Sequence, residues 1–284
     1  MAIELSKLEE FVALALQEDV REGDHTSLST IPEDVQGEAK LLVKDTGILA
    51  GVTVGQHIFQ LIDPTLQLDL LLADGTAVQP GDIAFYVRGR VHSILKAERL
   101  VLNVMQRMSG IATRTKEYAQ QLQGTKAQVL DTRKTTPLLR FLEKEAVLIG
   151  GGANHRIGLY DMILIKDNHV DYAGSISNAL ARAQVYRRNK NLSIPIEIEV
   201  RSMAELEEVL ASEAVDRVMF DNFTPSEVEK AVQLVAGRLV TEASGGITLD
   251  TIRDYALAGV DFISVGALTH SVKSLDLSLK AKIV

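Results

Sequence analysis

Apolar residues in the first segment fall at Leu5, Leu8, Val12 and Leu16, the spacing of a helix with one buried face, and predict a short surface helix. A charged loop follows, Glu18-Asp19-Val20-Arg21-Glu22-Gly23-Asp24-His25-Thr26. From Gly37 to Val91 the rhythm shortens. Apolar runs at Ala39–Val43, Gln67–Leu72 and Ile83–Val91 stand between Asp-Pro, Asp-Gly and Pro-Gly breakers, with one helical stretch near Thr53–Leu61, which reads as α+β. A long helical stretch from Ile94 to Leu122, interrupted at Ser109-Gly110, marks the expected domain boundary.

After Gln128 short apolar runs each end on a polar residue or glycine: Val129-Leu130-Asp131, Ile163-Leu164-Ile165-Lys166, Ile196-Glu197-Ile198-Glu199, Val218-Met219-Phe220-Asp221, Leu239-Val240-Thr241-Glu242 and Phe262-Ile263-Ser264-Val265-Gly266. Helix starts lie between them. Ser202-Met203-Ala204-Glu205 and Thr224-Pro225-Ser226-Glu227 fit the capping box, and Ala258-Gly259 closes a third helix. Strand and helix in alternation mean parallel pairing with right-handed crossovers. Six such strands suit a closed or partly closed barrel better than an open doubly wound sheet, although the pattern leaves both available. In a barrel the C-terminal strand ends share one mouth. Asp131, Lys166, Glu199, Asp221, Glu242 and Gly266 are therefore expected to converge.

The chain has 284 residues, 46% hydrophobic and 24% charged, with a net charge of −8, which fits an ordinary globular protein and disfavours wholesale binding to nucleic acid or anionic lipid. Zero cysteine removes thiol catalysis, thiolate zinc and disulfides together. The opening Met1-Ala2-Ile3-Glu4-Leu5-Ser6-Lys7 lacks the basic region and apolar core of a signal peptide, and no apolar run approaches a membrane span. A cytoplasmic location is expected.

Three constellations carry chemistry. Arg133-Lys134, His155-Arg156 after Gly150-Gly151-Gly152, and Lys166 make a basic set; between Asp131 and His169 six Lys/Arg face five Asp/Glu, so the acidic excess lies elsewhere. Such a set at a barrel mouth suits a small polyanion, although Arg133 and Arg156 could equally be surface salt-bridge partners. Glu199 and Asp221 at successive strand ends suit Mg²⁺, ribose hydroxyls or a developing cation, or they cap the next helix. Glu197 alternates with Glu199, so both should face inward, and one of the two reads as a buried partner for Lys or Arg. Glu242-Ala243-Ser244-Gly245-Gly246-Ile247 and Val265-Gly266-Ala267-Leu268-Thr269-His270 provide small residues after the last two strands, where barrels hold phosphate. His25, His57 and His92 read as structural or solvent-exposed.

Asp131-Thr132-Arg133-Lys134-Thr135-Thr136-Pro137, Gly150 through Leu159, Leu164-Ile165-Lys166-Asp167-Asn168-His169 and Glu242 through Ile247 resemble the quinolinate phosphoribosyltransferase family, the carboxylating nicotinate-nucleotide pyrophosphorylases of NAD biosynthesis. Glu18-Asp19 with Gly23 through Thr26, Glu98-Arg99 through Asn103, Ser109 through Thr113, and Ser264 through Ser271 extend the resemblance over essentially the whole chain.

The resemblance implies an N-terminal α/β sandwich, residues 1–108 joined by the tail 271–284, and an incomplete, TIM-like parallel α/β barrel, residues 109–270. It further implies a homodimer whose active site receives Arg99 from the partner subunit. Arg99, Arg133, His155, Arg156 and Lys166 would hold the carboxylates of quinolinate. Lys134 and Lys166 would meet phosphoribosyl pyrophosphate, Glu199 and Asp221 its ribose hydroxyls and Mg²⁺, and Ser244, Gly245, Gly246, Gly266 and His270 its phosphates. Lys134, Lys166, Glu199 and Asp221 are the expected catalytic set, with no organic cofactor. Leu138 stands where the family often has a smaller residue, and Glu145 where an aromatic is frequent. Other readings are nicotinate as acceptor, Lys166 as the Schiff-base lysine of an aldolase-like barrel, and a non-catalytic phosphate-binding barrel.

Overall fold

Alternate residues of Gln36–Val43 are buried, Ala39, Leu41 and Val43 among them, and this period of two builds the first strand, β1. The computed structural model describes residues 4–212 and 215–282; Met1–Ile3 of the opening segment, Glu213, Ala214 and Ile283–Val284 of the tail lie outside them. Two short strands, β2 (Gly47–Ile48) and β4 (Ala77–Val78), pair with each other, while β3 (Gln67–Leu70) and β5 (Ile83–Arg90) join β1. The tail returns as β12 (Leu277–Lys282), giving an antiparallel sheet in the order β12-β1-β5-β3. The helix Val52–Ile62 brings Phe59 edge-on to Phe85 of β5, with ring centroids 6.0 Å apart. The first helix, Leu5–Asp19, buries Leu8 and Val12 but leaves Leu5 exposed, so its apolar stripe is narrower than expected.

Ser109-Gly110 does not interrupt the long helix, which runs without a break from Val91 to Gln121. The Ser109 hydroxyl donates to the carbonyl of Ala50 and accepts from its N–H. A Cβ on Gly110 would lie 2.3 Å from the Lys273 carbonyl oxygen, so glycine is present for a close chain approach and not to end the helix.

The chain divides into two compact units: residues 1–116, 135–151 and 268–284, and residues 117–134 and 152–267. This division places 109–116, 135–151 and 268–270 in the first unit, where the expected boundary had put them in the barrel. The segment 135–151 is the main difference: its Phe141 packs edge-on against Phe11 of the first helix at 6.1 Å.

The second unit holds β6 (Gln128–Leu130), β7 (Ile163–Ile165), β8 (Ile196–Val200), β9 (Arg217–Asp221), β10 (Val240–Ser244) and β11 (Phe262–Ser264), all parallel, in the order β6-β11-β10-β9-β8-β7. Thr224 and Glu227 close both halves of the expected capping box; Ser202 makes its half, while Glu205 turns to the backbone N–H of Arg201. In a flat sheet β6 and β8 would stand four strand spacings apart, roughly 19 Å. Yet Ala153 pairs with Leu130 of β6, and His155, two residues on, lies 3.0 Å from Glu197 of β8. The sheet is rolled. It is an incomplete parallel barrel, with β6 and β7 not hydrogen-bonded to each other.

Candidate active site

Because residues two apart on a strand share a face, Glu197 and Glu199 of β8 both enter the barrel, and so do Arg217 and Asp221 of β9 and Glu242 and Ser244 of β10. Register puts Glu197 opposite Arg217, Glu199 and Glu242 both opposite Met219, and Ser244 opposite Asp221; it is the side-chain contacts that sort them into two levels.

The deeper level is closed on itself. Arg217 Nε lies 3.2 Å from Glu197 Oε1, and its Nη2 meets Glu242 Oε2; both carboxylates are fully buried. Burial, and then the neighbouring charge of Glu197, push Glu242 from its ordinary 4.5 to about 7. Burial likewise raises Glu197, against the pull of Arg217. His155 faces this level, its Nε2 being 3.0 Å from Glu197 and 3.5 Å from Glu242. Its Nδ1 accepts the Arg156 N–H at 2.7 Å, which leaves the ring proton on Nε2. Glu242 was expected at the mouth; its side chain is instead fully buried and turned to Arg217. Asp131 is also buried, and its Oδ1 accepts the His155 N–H.

The mouth level is open. Lys166, at the end of β7, donates Nζ–H to Glu199 Oε2 at 2.7 Å with its own side chain 46% exposed. Asp221 Oδ1 accepts from Ser244 Oγ at 3.0 Å, and Oδ2 from Asn222 Nδ2 at 2.7 Å. Gly245 follows with φ +100°, and a Cβ there would come within 2.2 Å of Asn222 Oδ1, so only glycine fits. Gly246 also has a positive φ, and Gly266 lies two residues past the end of β11.

Arg156 belongs to the same region. Desolvation and then the charge of Arg133 lower its pKa, while Glu197 and Asp161 act in the opposite sense. Asp161 accepts the N–H groups of Ile157 and Gly158, so four successive N–H groups, 155 to 158, are held by acceptors within the unit. The guanidinium is thus presented on a fixed backbone. Lys134 is exposed, its N–H bonded to Thr132 Oγ1.

Arg99 and His270 lie in the first unit. Both are exposed, Arg99 on the long helix and His270 with Nδ1 on Ser271 Oγ. His57 and His92 bond backbone carbonyls, and His25 opens a short helix capped by Asp24. Sequence reading missed Arg217 and Asp161. The acids of Arg217 lie 20 and 25 residues away in the chain, so no local spacing signals the pairing; Asp161, four residues past Ile157, was within reach as a turn acceptor.

Glu199 and Asp221 offer hard carboxylate oxygens, the donor type Mg²⁺ takes with one or two side chains. His155, Glu197 and Glu242 also bring ligand atoms within 4.8 Å of one another, but Arg217 already occupies an oxygen of each carboxylate. The Schiff-base reading fares poorly, because Lys166 is half exposed and ion-paired whereas that chemistry needs a desolvated amine. Among the described residues no helix is long and apolar enough to cross a membrane.

Residues 24–109 match the family described as quinolinate phosphoribosyl transferase, N-terminal domain, and residues 111–280 the corresponding C-terminal domain. The chain is 47% identical over 284 residues to quinolinate phosphoribosyltransferase [decarboxylating] 1b of Nicotiana tabacum, covering 95% of this chain and 81% of that one. It is 44% identical to the probable nicotinate-nucleotide pyrophosphorylase [carboxylating] of Bacillus subtilis, over 92% and 89% of the two chains. The crystal structure of NadC from Streptococcus pyogenes superposes with a TM-score of 0.94 at 38% identity, covering 100% of this chain and 99% of that one. This chain belongs to the quinolinate phosphoribosyltransferase family.

Proposed function

We propose that this protein transfers the phosphoribosyl group of phosphoribosyl pyrophosphate to the ring nitrogen of quinolinate, giving nicotinate mononucleotide, pyrophosphate and CO₂, a step of pyridine nucleotide synthesis. The observation that carries the reading is the pairing of two levels in one barrel: acids tied to Arg217 below, and Arg156, Arg133 and Lys166 with Glu199 and Asp221 above. A dicarboxylate needs several cations, whereas nicotinate, with one carboxylate, does not.

Arg133, Arg156 and Lys166 hold the quinolinate carboxylates, joined by Arg99 of the partner subunit in a homodimer. His155 has Nδ1 engaged by the Arg156 N–H and Nε2 turned to Glu197, so we assign it to supporting Arg156 and not to the carboxylate. Lys134 meets the phosphoribosyl pyrophosphate, and Ser244, Gly245, Gly246, Gly266 and His270 its phosphates. The ring nitrogen forms its bond to the anomeric carbon as the bond to pyrophosphate breaks. Glu199 and Asp221 stabilise the positive charge that develops on the ribose. Mg²⁺, held by Glu199 and Asp221 with the pyrophosphate, supplies neutralisation of the leaving group. The positive charge on the ring nitrogen then stabilises the electron pair that the breaking carboxylate bond leaves on the adjacent ring carbon; CO₂ departs, and that carbon takes up a proton. The protein's own contribution is alignment and electrostatics.

Lack of cysteine fits a reducing compartment, and we place the protein in the cytoplasm; plant relatives are named chloroplastic or mitochondrial. The deciding experiment mixes protein, quinolinate, phosphoribosyl pyrophosphate and Mg²⁺ and identifies products by mass: nicotinate mononucleotide with CO₂ is expected, and its absence overturns the reading. Arg156→Ala is expected to weaken quinolinate binding about 30-fold or more while changing phosphoribosyl pyrophosphate binding far less, as loss of a charge-assisted contact requires. Calorimetric titration of each substrate checks this.

A further inference from the structure

Glu143 is fully buried in the helix Arg140–Ile149, yet it is an acid among Leu142, Ala146 and Val147. Its Oε1 accepts from Arg107 Nε at 3.1 Å and Nη2 at 3.0 Å, and its Oε2 accepts the Thr136 N–H at 3.2 Å. Arg107, on the long helix, donates Nη2–H to the carbonyl of Thr269 as well. Gln106, its neighbour, accepts the Leu275 N–H on its carbonyl and donates Nε2–H to the Leu277 carbonyl. Arg140 fixes the same loop from the other side, its Nε donating to Thr135 Oγ1 at 2.9 Å.

The backbone atoms so held are not arbitrary. Thr136 lies two residues past Lys134, and Thr269 is next to His270, both placed on phosphoribosyl pyrophosphate above. A fold that needed only packing would put an apolar residue at position 143, because a buried ion pair gains little over one. What the pair provides is direction: a guanidinium fork and a carboxylate with two acceptors pin two backbone segments at once.

We propose that Arg107 and Glu143 are positioning residues for phosphoribosyl transfer, fixing the backbone after Lys134 and before His270 so that both side chains are presented to the phosphate-bearing substrate. The proposal rests on the functional reading above.

Two variants separate the arms. Glu143→Gln keeps one acceptor for Arg107 but turns an amide N–H₂ towards the Thr136 N–H, releasing the loop after Lys134. Arg107→Lys retains the charge but cannot meet Glu143 and the Thr269 carbonyl together. The control is Arg187→Lys, at an ion pair whose Asp216 accepts the Ile196 N–H at the opposite, N-terminal end of the strands. Each variant is assayed for kcat, KM of both substrates and Tm. Positioning requires the KM for phosphoribosyl pyrophosphate to rise ten- to a hundredfold, on the order seen when supporting contacts of a site are lost. Both variants are expected to lower Tm more than Arg187→Lys, because Glu143 is fully buried, so KM is read well below the lowest Tm, where Arg187→Lys keeps its wild-type value. Unchanged KM in both variants, or a KM for quinolinate that rises as much as that for phosphoribosyl pyrophosphate, overturns it. A wild-type enzyme that forms no product overturns the functional reading instead, so the two failures are distinguishable.

Discussion

The two levels of the barrel interior use the same side-chain chemistry to opposite ends. At the deeper level Arg217 stands between the fully buried carboxylates of Glu197 and Glu242 and is ion-paired to both. At the mouth Lys166 is half exposed, Glu199 is bonded to it, and the charge of Arg133 helps to lower the pKa of Arg156. The difference lies in exposure: the carboxylates of Glu197 and Glu242 are fully buried around Arg217, while Lys166, Arg133 and Lys134 are open to solvent, where an anion can reach them.

The sharpest way to break this contrast is at Arg217. Arg217→Met leaves two buried carboxylates without their cation, and a loss of about 3–5 kcal/mol is expected, read by urea unfolding. Lys166→Met should do the reverse: kcat falls on the order of a hundredfold while the urea midpoint falls less than in Arg217→Met, since Lys166 is half exposed and leaves only one buried carboxylate, Glu199, without its partner.

A smaller effect follows from Glu242, whose pKa stands at about 7 in the folded protein against an ordinary 4.5. Between those values the folded state keeps a proton that the unfolded chain has lost. This group's stabilisation is therefore complete at low pH and declines as pH rises towards 7. Thermal midpoints across that range should decline more steeply in wild type than in Glu242→Gln, which cannot titrate; parallel curves would remove Glu242 as the source. Least of all, Leu138→Gly is expected to be neutral or stabilising by about 0.5 kcal/mol, because Leu138 has φ +67° and is 81% exposed, so it carries left-handed strain and loses no packing. A lowered Tm would mean the side chain has a partner elsewhere.

At position 138 the backbone is left-handed, a conformation that glycine adopts at less cost than leucine. Glu145 lines a cleft of about 360 Å³ with Leu5, Leu8, Val54 and Ile149. Both residues were legible in the sequence, but their settings were not, since a dihedral angle and a cavity are properties of the folded chain.

The parallel strands, the capped helices between them and the basic and acidic sets at their ends were readable from sequence, because each depends on residues a few positions apart. Period two places Glu197 and Glu199 on one face whatever the rest of the chain does. The depth of Glu242, the union of Arg217 with acids 20 and 25 residues away, the unbroken helix through Gly110 and the tie from Arg107 through Glu143 to Thr136 were decided by the tertiary structure alone. Level within a barrel depends on which side chains each residue meets inside it. Those contacts are set by packing and hydrogen bonding between segments distant in the chain, which local pattern does not encode.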